Sequence, residues 1–252
     1  MNIIKNIINI NKFTRPGRKL KSTKGLVVHW IGVAQSRASV IRNNYEKESK
    51  NYASTQYIID YNTGDIINAI PENEVAFHVG AKANKYTAFW KSTGLDNPNN
   101  YLVGIECCIN DNDKITSDYA DKNKYLDLGK PSAIQYENLV EFCADFLKRH
   151  NLTINNLHRH YDITGKACHV WFYKHEDEWQ KFKQKVKEKM EGKGDEEDMT
   201  RYNSINEIPD YAKNTINKLI EKKLLNGTEN GLNLTEDMIR MLVINDRANL
   251  YD

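Results

Sequence analysis

A short apolar run, Gly25-Leu26-Val27-Val28, leads directly into His29 and Trp30, and this feature most constrains the fold. Such a run is typical of a buried strand, and a strand ending in histidine delivers one side chain to a site. A second apolar strand is predicted over residues 102–109. Residues 134–148 carry apolar residues at helical spacing. This alternation of strands and helices predicts an α/β domain with a mixed central β-sheet flanked by helices.

The remaining segments of this domain give weaker signals. Residues 57–60 and 65–70 flank a turn sequence, Tyr61-Asn62-Thr63-Gly64, that favours a β-hairpin. Helices are predicted over residues 36–49 and 176–190, the second highly charged and therefore expected at the surface. Residues 1–24 are polar and basic, with Arg15-Pro16-Gly17-Arg18 marking a turn or loop, and residues 84–100 predict a long polar loop.

Two histidines and a cysteine in a later loop complement His29. His158 and His160 are separated by one residue, so in an extended segment both point the same way and either can be a ligand. Cys168 follows in a polar, Gly-containing loop. Imidazole and thiolate are the ligands that zinc prefers, and three protein ligands leave a position for water, as in catalytic sites. By spacing alone, a histidine after a strand is more often structural.

The four cysteines do not form a disulfide framework in this interpretation. Cys107, Cys108 and Cys143 lie in apolar segments and are expected as small core residues. Cys168 lies beside Lys166 and His169, a setting that favours a thiolate and metal binding.

Five motifs occur in an order and spacing that resemble the type-2 zinc N-acetylmuramoyl-L-alanine amidases, the fold of phage lysozyme-type amidases and peptidoglycan recognition proteins. The resemblance covers about residues 20–190. Each motif alone is weak, and their common order makes the resemblance specific. The motifs are Val28-His29-Trp30, Tyr57-Ile58-Ile59-Asp60, Phe77-His78-Val79-Gly80, Val103-Gly104-Ile105-Glu106 and His160 to Cys168.

The resemblance implies a Zn²⁺ cofactor on one face of the domain, held by His29, His160 and Cys168. It also implies that Glu106 is the catalytic base and that Lys166 stabilises the oxyanion. Some family members use a tyrosine before the second strand, where this chain has Thr55. A threonine cannot replace that base, so the expectation shifts to Glu106.

The same resemblance assigns further residues around the site. His78 and Trp30 are expected near the substrate, although a hydrogen-bonded loop histidine is an equal alternative for His78. Asp162 is expected to orient His160 or a nearby backbone group, with His158 either supporting a ligand or purely structural. The family usually has proline where this chain has His169, which puts the local loop shape in doubt.

Residues 191–200 divide the chain. They hold one basic and five acidic residues with two glycines, which predicts a flexible linker between a catalytic domain, 1–190, and a small helical domain, 201–252. In the latter, residues 209–225 predict a helix, and Thr235 is a candidate N-cap for a second. This tail resembles S-layer-homology-like tails of clostridial phage amidases, which implies attachment to a wall polymer. Its small size favours a homodimer or a partner surface.

Composition limits the partners. Residues 1–190 hold 28 basic and 21 acidic residues, which indicates a solvated surface or, alternatively, attraction to an anionic polymer. No nucleic-acid motif accompanies this charge. No apolar run approaches the roughly 20 residues of a membrane helix, and the N-terminus lacks the form of a signal peptide.

These features predict a phage endolysin that is made in the host cytoplasm and acts on the peptidoglycan of the cell wall after release. Three alternatives stay open. One is a non-catalytic peptidoglycan-binding protein of the same fold, which commonly lacks a zinc ligand. The others are a zinc enzyme that cuts elsewhere in the stem peptide and a bacterial autolysin.

Overall fold

The computed structural model describes residues 1–47, 51–110, 115, 118–192, 201–229 and 231–251. Its internal contacts divide the chain into two units, Met1–Gly192 and Lys193–Asp252. The predicted linker, 191–200, lies outside the described residues except for Glu191 and Gly192. Across the described ranges, no helix has the length and apolar character needed to cross a membrane.

A mixed six-stranded sheet forms the centre of the first unit. Its strands are β1 (Ile3–Lys5), β2 (Gly25–Trp30), β3 (Tyr57–Ile59), β4 (Ile66–Asn68), β5 (Leu102–Cys107) and β6 (Leu157–Arg159), in the spatial order β1-β4-β3-β5-β2-β6. Only β3 and β4 pair antiparallel; the other four pairs are parallel. The strand β2 is buried along its whole length, as its apolar run predicts.

Helices cover both faces of this sheet. The long helices α3 (Ala133–Arg149) and α6 (Glu176–Glu191) pack on one face, where Leu26, Val28 and Ile105 join Phe142 and Phe182 in the largest core cluster. The opposite face carries α1 (Ala38–Glu46), α2 (Ala88–Ser92) and α4 (His160–Thr164). A further short helix, α5 (Val170–Lys174), precedes α6. The expected α/β architecture with a mixed central sheet flanked by helices is therefore confirmed.

Several local predictions are corrected. The N-terminal segment, for which the sequence predicted only a turn or loop at residues 15–18, also contains β1, which pairs with β4 through backbone hydrogen bonds. The polar segment 84–100 contains α2, capped by Thr87, and buries Trp90. The charged helix α6 is not wholly at the surface, since it buries Trp179, Phe182 and Val186 on one stripe.

The second unit has its own small core. Helices α7 (Asp210–Glu221) and α8 (Glu236–Arg247) pack with a two-stranded ribbon, β7 (Arg201–Tyr202) and β8 (Leu234–Thr235). Thr235 caps α8 by accepting a hydrogen bond from the Met238 amide, as predicted. The buried face of α8 carries Ile239 and Val243, whereas Met238 and Met241 are exposed.

Candidate metal centre and active site

The carboxyl ends of β2 and β5 place an imidazole and a carboxylate side by side. The two strands are parallel, and His29 lies opposite Glu106 in their register. Side chains in register on neighbouring strands point to the same face of a sheet. The carboxyl ends of strands are where open α/β sheets bind ligands. The chain thus presents both groups together on the face that α1, α2 and α4 cover.

The segment after β6 brings two further donors to His29. The helix α4 begins at His160 and ends at Gly165, whose φ of 74° lets the chain turn back. The Tyr161 amide then donates to the Cys168 carbonyl at 3.0 Å. One ligand atom from each of His29, His160 and Cys168 lies within 4.8 Å of the others, and all three residues are buried. The structure therefore groups His160, and not His158, with this candidate metal centre.

His158 and Trp30 lie elsewhere. The His158 ring lies against Phe89 of α2, with 5.1 Å between ring centroids. The Trp30 side chain is 6% exposed and packs with Leu128, Val170 and Cys168 in a small apolar cluster. The Trp30 indole therefore packs beside Cys168, and its expected contact with substrate stays a prediction. Burial raises the pKa of the Cys168 thiol, and the Trp30 backbone acts in the opposite direction.

A buried arginine, Arg159, holds in place the segment that carries the candidate donors His160 and Cys168. The sequence motifs did not indicate this arginine. Asp162 accepts from the Arg159 amide at 2.7 Å and from the Arg159 guanidinium at 2.8 Å. The same guanidinium donates to the Phe172 carbonyl at 2.9 Å and to Glu176 at 2.7 Å. Asp162 thus orients the backbone just before His160, one of its two expected roles. The Arg159 contacts join α4, α5 and α6.

The environments of the three donors favour metal binding. Burial lowers the pKa of His29 well below its usual value and that of His160 to about 3, so both imidazoles are neutral and offer lone pairs. Burial raises the pKa of the Cys168 thiol to about 12. A cation beside such a thiol removes its proton outright. Two neutral imidazoles and one thiol match the donor chemistry of a catalytic zinc site.

Glu106 has the environment of a proton-transfer group. Its Oε2 atom is buried and has no hydrogen-bond partner among the described residues. Burial raises the pKa of Glu106 to about 8, while the positive charge of Lys166 acts in the opposite direction. Lys166 itself is exposed, directly after Gly165. An unpaired buried carboxylate is costly unless a ligand or cation uses it.

A tyrosine that the motifs did not indicate lies near Glu106. Tyr45 of α1 is buried, and its hydroxyl lies 3.3 Å from Thr55 Oγ1. The Thr55 hydroxyl also donates to the Tyr57 carbonyl at 2.8 Å. Burial, followed by the charge of Glu106, raises the pKa of Tyr45. The only sequence signal was the apolar face that Tyr45 shares with Ile41 on α1.

His78 lies directly behind His29, with both ring nitrogens engaged. Its Nδ1 atom is 3.0 Å from His29 Nε2, and its Nε2 atom is 3.0 Å from the Leu102 carbonyl oxygen. The amides of His78 and Val79 both donate to the buried Asn99 side chain, at 3.1 and 2.9 Å. These contacts place His78 against the candidate ligand His29, with both ring nitrogens of His78 already engaged.

Comparisons with known proteins identify a family and a fold for this chain. The family model described as N-acetylmuramoyl-L-alanine amidase matches residues 19–178. The N-acetylmuramoyl-L-alanine amidase CwlL of Bacillus licheniformis is 29% identical over 188 residues, which cover 73% of this chain and 46% of that protein. The chain spans less than half the length of the curated relatives it matches.

Two solved structures share the fold. The structure of PlyL superposes with a TM-score of 0.54 at 21% identity, covering 74% of this chain and 98% of PlyL. A mutant endolysin from Bacillus subtilis gives a TM-score of 0.53 at 22% identity, covering 73% of this chain and 98% of that one.

Proposed function

Because this chain belongs to the N-acetylmuramoyl-L-alanine amidase family, we propose that its first unit hydrolyses the amide between N-acetylmuramic acid and L-alanine of bacterial peptidoglycan. One observation carries the proposal: the buried His29–His160–Cys168 cluster lies beside Glu106, which stands opposite His29 in the sheet register and whose buried Oε2 atom has no partner among the described residues. Amide hydrolysis by a metal centre needs a base placed in this way.

The three clustered donors would hold Zn²⁺. Bound there, zinc would supply a Lewis acid that polarises the amide carbonyl and lowers the pKa of the attacking water. The burial of His29, His160 and Cys168 limits access of bulk solvent to the donors, so charges within the site interact more strongly than they do in water.

Glu106 and Lys166 supply the remaining chemistry. Glu106 accepts a proton from the attacking water and returns it to the leaving amide nitrogen; its raised pKa suits a group that must do both near neutral pH. Lys166 projects from the loop between two of the donors, and its ammonium donates to the carbonyl oxygen as negative charge develops there. Gly165, in the left-handed conformation, ends α4 one residue before this lysine.

We further propose that the chain acts as a phage endolysin and that its second unit binds a wall polymer. The support is the separate core of that unit and an exposed apolar set on its surface, Tyr211, Met238, Met241 and Ile244. The same exposed set also suits a homodimer contact.

Digestion of purified peptidoglycan, followed by mass spectrometry, tests the activity. The expected products are intact glycan strands and stem peptides with new L-alanine amino termini. The matched control is Cys168→Ser, which replaces the thiol donor and should lose both zinc and product. Cleavage within the stem peptide would contradict the proposed bond specificity, and binding without any cleavage would indicate a recognition protein of the same fold.

A further inference from the structure

The hydrogen bonds around His78 fix where its protons lie. The Leu102 carbonyl can only accept, so the His78 Nε2 atom at 3.0 Å must carry a hydrogen. In a neutral imidazole the other nitrogen is then an acceptor. His78 Nδ1 therefore accepts from His29 Nε2, also at 3.0 Å, and His29 must carry its hydrogen on Nε2.

The opposite nitrogen of His29 faces the metal centre. His29 Nδ1 lies 3.7 Å from Cys168 Sγ. With Nε2 protonated and bonded to His78, the Nδ1 lone pair is directed at the site that His160 and Cys168 share. A ligand histidine held by a hydrogen bond on its second nitrogen has a fixed tautomer and ring orientation.

The backbone around His78 is built to permit this contact. A Cβ on Gly104 would lie 2.9 Å from His78 Nδ1, so only glycine in the β5 register leaves room for the ring. The buried Asn99 side chain accepts from the amides of His78 and Val79. Gly104 and Asn99 therefore set both the space and the orientation of His78.

We propose that His78 is a positioning residue. Through the hydrogen-bonded relay that runs from the Leu102 carbonyl to His78 and on to His29, it holds His29 in the tautomer that presents Nδ1 to the zinc. This inference rests on the proposed zinc centre. It assigns His78 to the metal site instead of the substrate groove. Loss of such a supporting partner typically weakens metal affinity about 10–100-fold.

Two substitutions of His78 separate the hydrogen bond from simple packing. In His78→Asn, the side-chain oxygen occupies the place of Nδ1 and can still accept from His29. In His78→Gln, the amide reaches toward Leu102, but no acceptor remains at the Nδ1 position. Asparagine is the smaller side chain, so a role in packing alone predicts that the glutamine variant binds zinc at least as tightly.

Zinc affinity of the full chain, measured by competition with a chromophoric chelator, tests the proposal. His78→Gln should bind zinc about 10–100-fold more weakly than the parent, and His78→Asn should recover most of that loss. The control is His175→Phe, because His175 also bonds a backbone carbonyl, that of Trp171, and no hydrogen bond joins it to the three donors within the described ranges. Equal affinities for all variants, or tighter binding by His78→Gln than by His78→Asn, would overturn the proposal.

A second measurement needs no variant. Long-range proton–nitrogen NMR of the zinc-loaded parent should show His29 protonated on Nε2, with Nδ1 bound to the metal. Protonation on Nδ1 with Nε2 bound would overturn the relay even if the His78 variants fail to fold. Neither measurement depends on hydrolysis: a chain that binds zinc with the expected tautomer but cuts no peptidoglycan would disprove the proposed activity and leave the relay intact.

Discussion

At the scale of single residues, the candidate site contains polar groups whose burial is energetically unfavourable, and it places them beside residues that suit a chemical role. Glu106 illustrates this, since its Oε2 atom is buried without a partner in the described part of the chain. Such a carboxyl lowers the stability of the folded chain unless a cation or a substrate proton engages it. Its location opposite His29 supports proton transfer as the reason for its burial.

Replacement of this carboxyl tests the role directly. Glu106→Gln should leave the zinc content unchanged, because Glu106 is not among the clustered donors, but lower turnover by about 10²–10⁴. Zinc analysis and muropeptide hydrolysis measure the two effects. Glu137→Gln on the exposed surface of α3 is the matched control. Parental turnover in Glu106→Gln would reject the base assignment and direct attention to Tyr45 and Thr55.

His169 is a buried residue for which the proposed chemistry has no use. It is fully buried, and neither ring nitrogen has a partner among the residues that the structure describes. Because unpaired buried polar atoms are unfavourable, His169→Leu should raise the free energy of unfolding by about 1 kcal/mol or more. Urea denaturation with and without a chelator measures this, with zinc content as the check on Cys168. A loss of stability would show that water or a neighbour pairs these nitrogens.

The sequence indicated which side chains belong together more clearly than it indicated their individual contacts. Motif order indicated His29, His160, Cys168 and Glu106, because the chemistry of each requires a specific side chain. Packing positions carry no such signal: nothing in the sequence shows that Trp30 faces an apolar cluster or that Arg159 joins three helices. The position of His78 behind His29 depends on strand register, which the sequence alone does not give.

At the scale of elements, long and strongly patterned segments were predicted well. The helix α3 and the strands β2 and β5 were found to within two residues at each end, because each buries a continuous apolar surface. Among the short elements, the hairpin strands β3 and β4 were predicted from their turn sequence, but others were missed. Strand β6 and helix α4 span three and five residues, too few to establish a period, and they form because β2 and the Arg159 contacts hold them.

Ion pairs with Glu74 help to hold the N-terminal segment against the rest of the first unit. Arg15 Nε donates to Glu74 Oε2 at 2.8 Å, and Lys19 lies 3.4 Å from the same carboxylate. The hydrogen bond from Arg15 holds the pKa of Glu74 below its usual value, with burial opposing this effect. Since the folded pKa is the lower one, the stabilisation is fully present above the unfolded pKa of about 4.3 and is lost as the pH falls through the folded value.

Glu74→Gln should therefore destabilise the chain by about 1–2 kcal/mol at pH 7. The difference from the parent should shrink below about pH 4, where the parental carboxyl is itself protonated. Urea denaturation across this pH range measures both effects. Asp96→Asn, which breaks an exposed pair with Lys21, should change little at any pH. A difference between Glu74→Gln and the parent that persists unchanged at low pH would contradict the electrostatic origin.

At the scale of the whole molecule, the two units carry different tasks in our proposal. Every proposed donor and catalytic residue lies in the first unit, Met1–Gly192, which has its own core. The second unit has a smaller core and an exposed apolar set on α7 and α8. Binding a polymer requires an exposed contact surface and only a small core, and the second unit has both features.

Separation of the units should divide activity from wall attachment. A truncated chain of residues 1–192 should bind zinc and cut soluble muropeptides at near-parental rates, but lyse intact walls at least about tenfold more slowly at low enzyme concentration. Tethering raises the local concentration of an enzyme on its polymer, and that gain is lost without the tether.

An equimolar mixture of residues 1–192 and 201–252 is the decisive control for this prediction. The mixture contains every residue of both cores but no covalent connection, so it should lyse walls no faster than residues 1–192 alone. A fluorescent fusion of 201–252 should sediment with the walls. If truncation leaves wall lysis at the parental rate and the fusion stays in solution, the second unit does not attach the enzyme to the wall. The exposed Met238 and Met241 would then be better explained as a homodimer contact, which light scattering of the full chain and of residues 1–192 would detect.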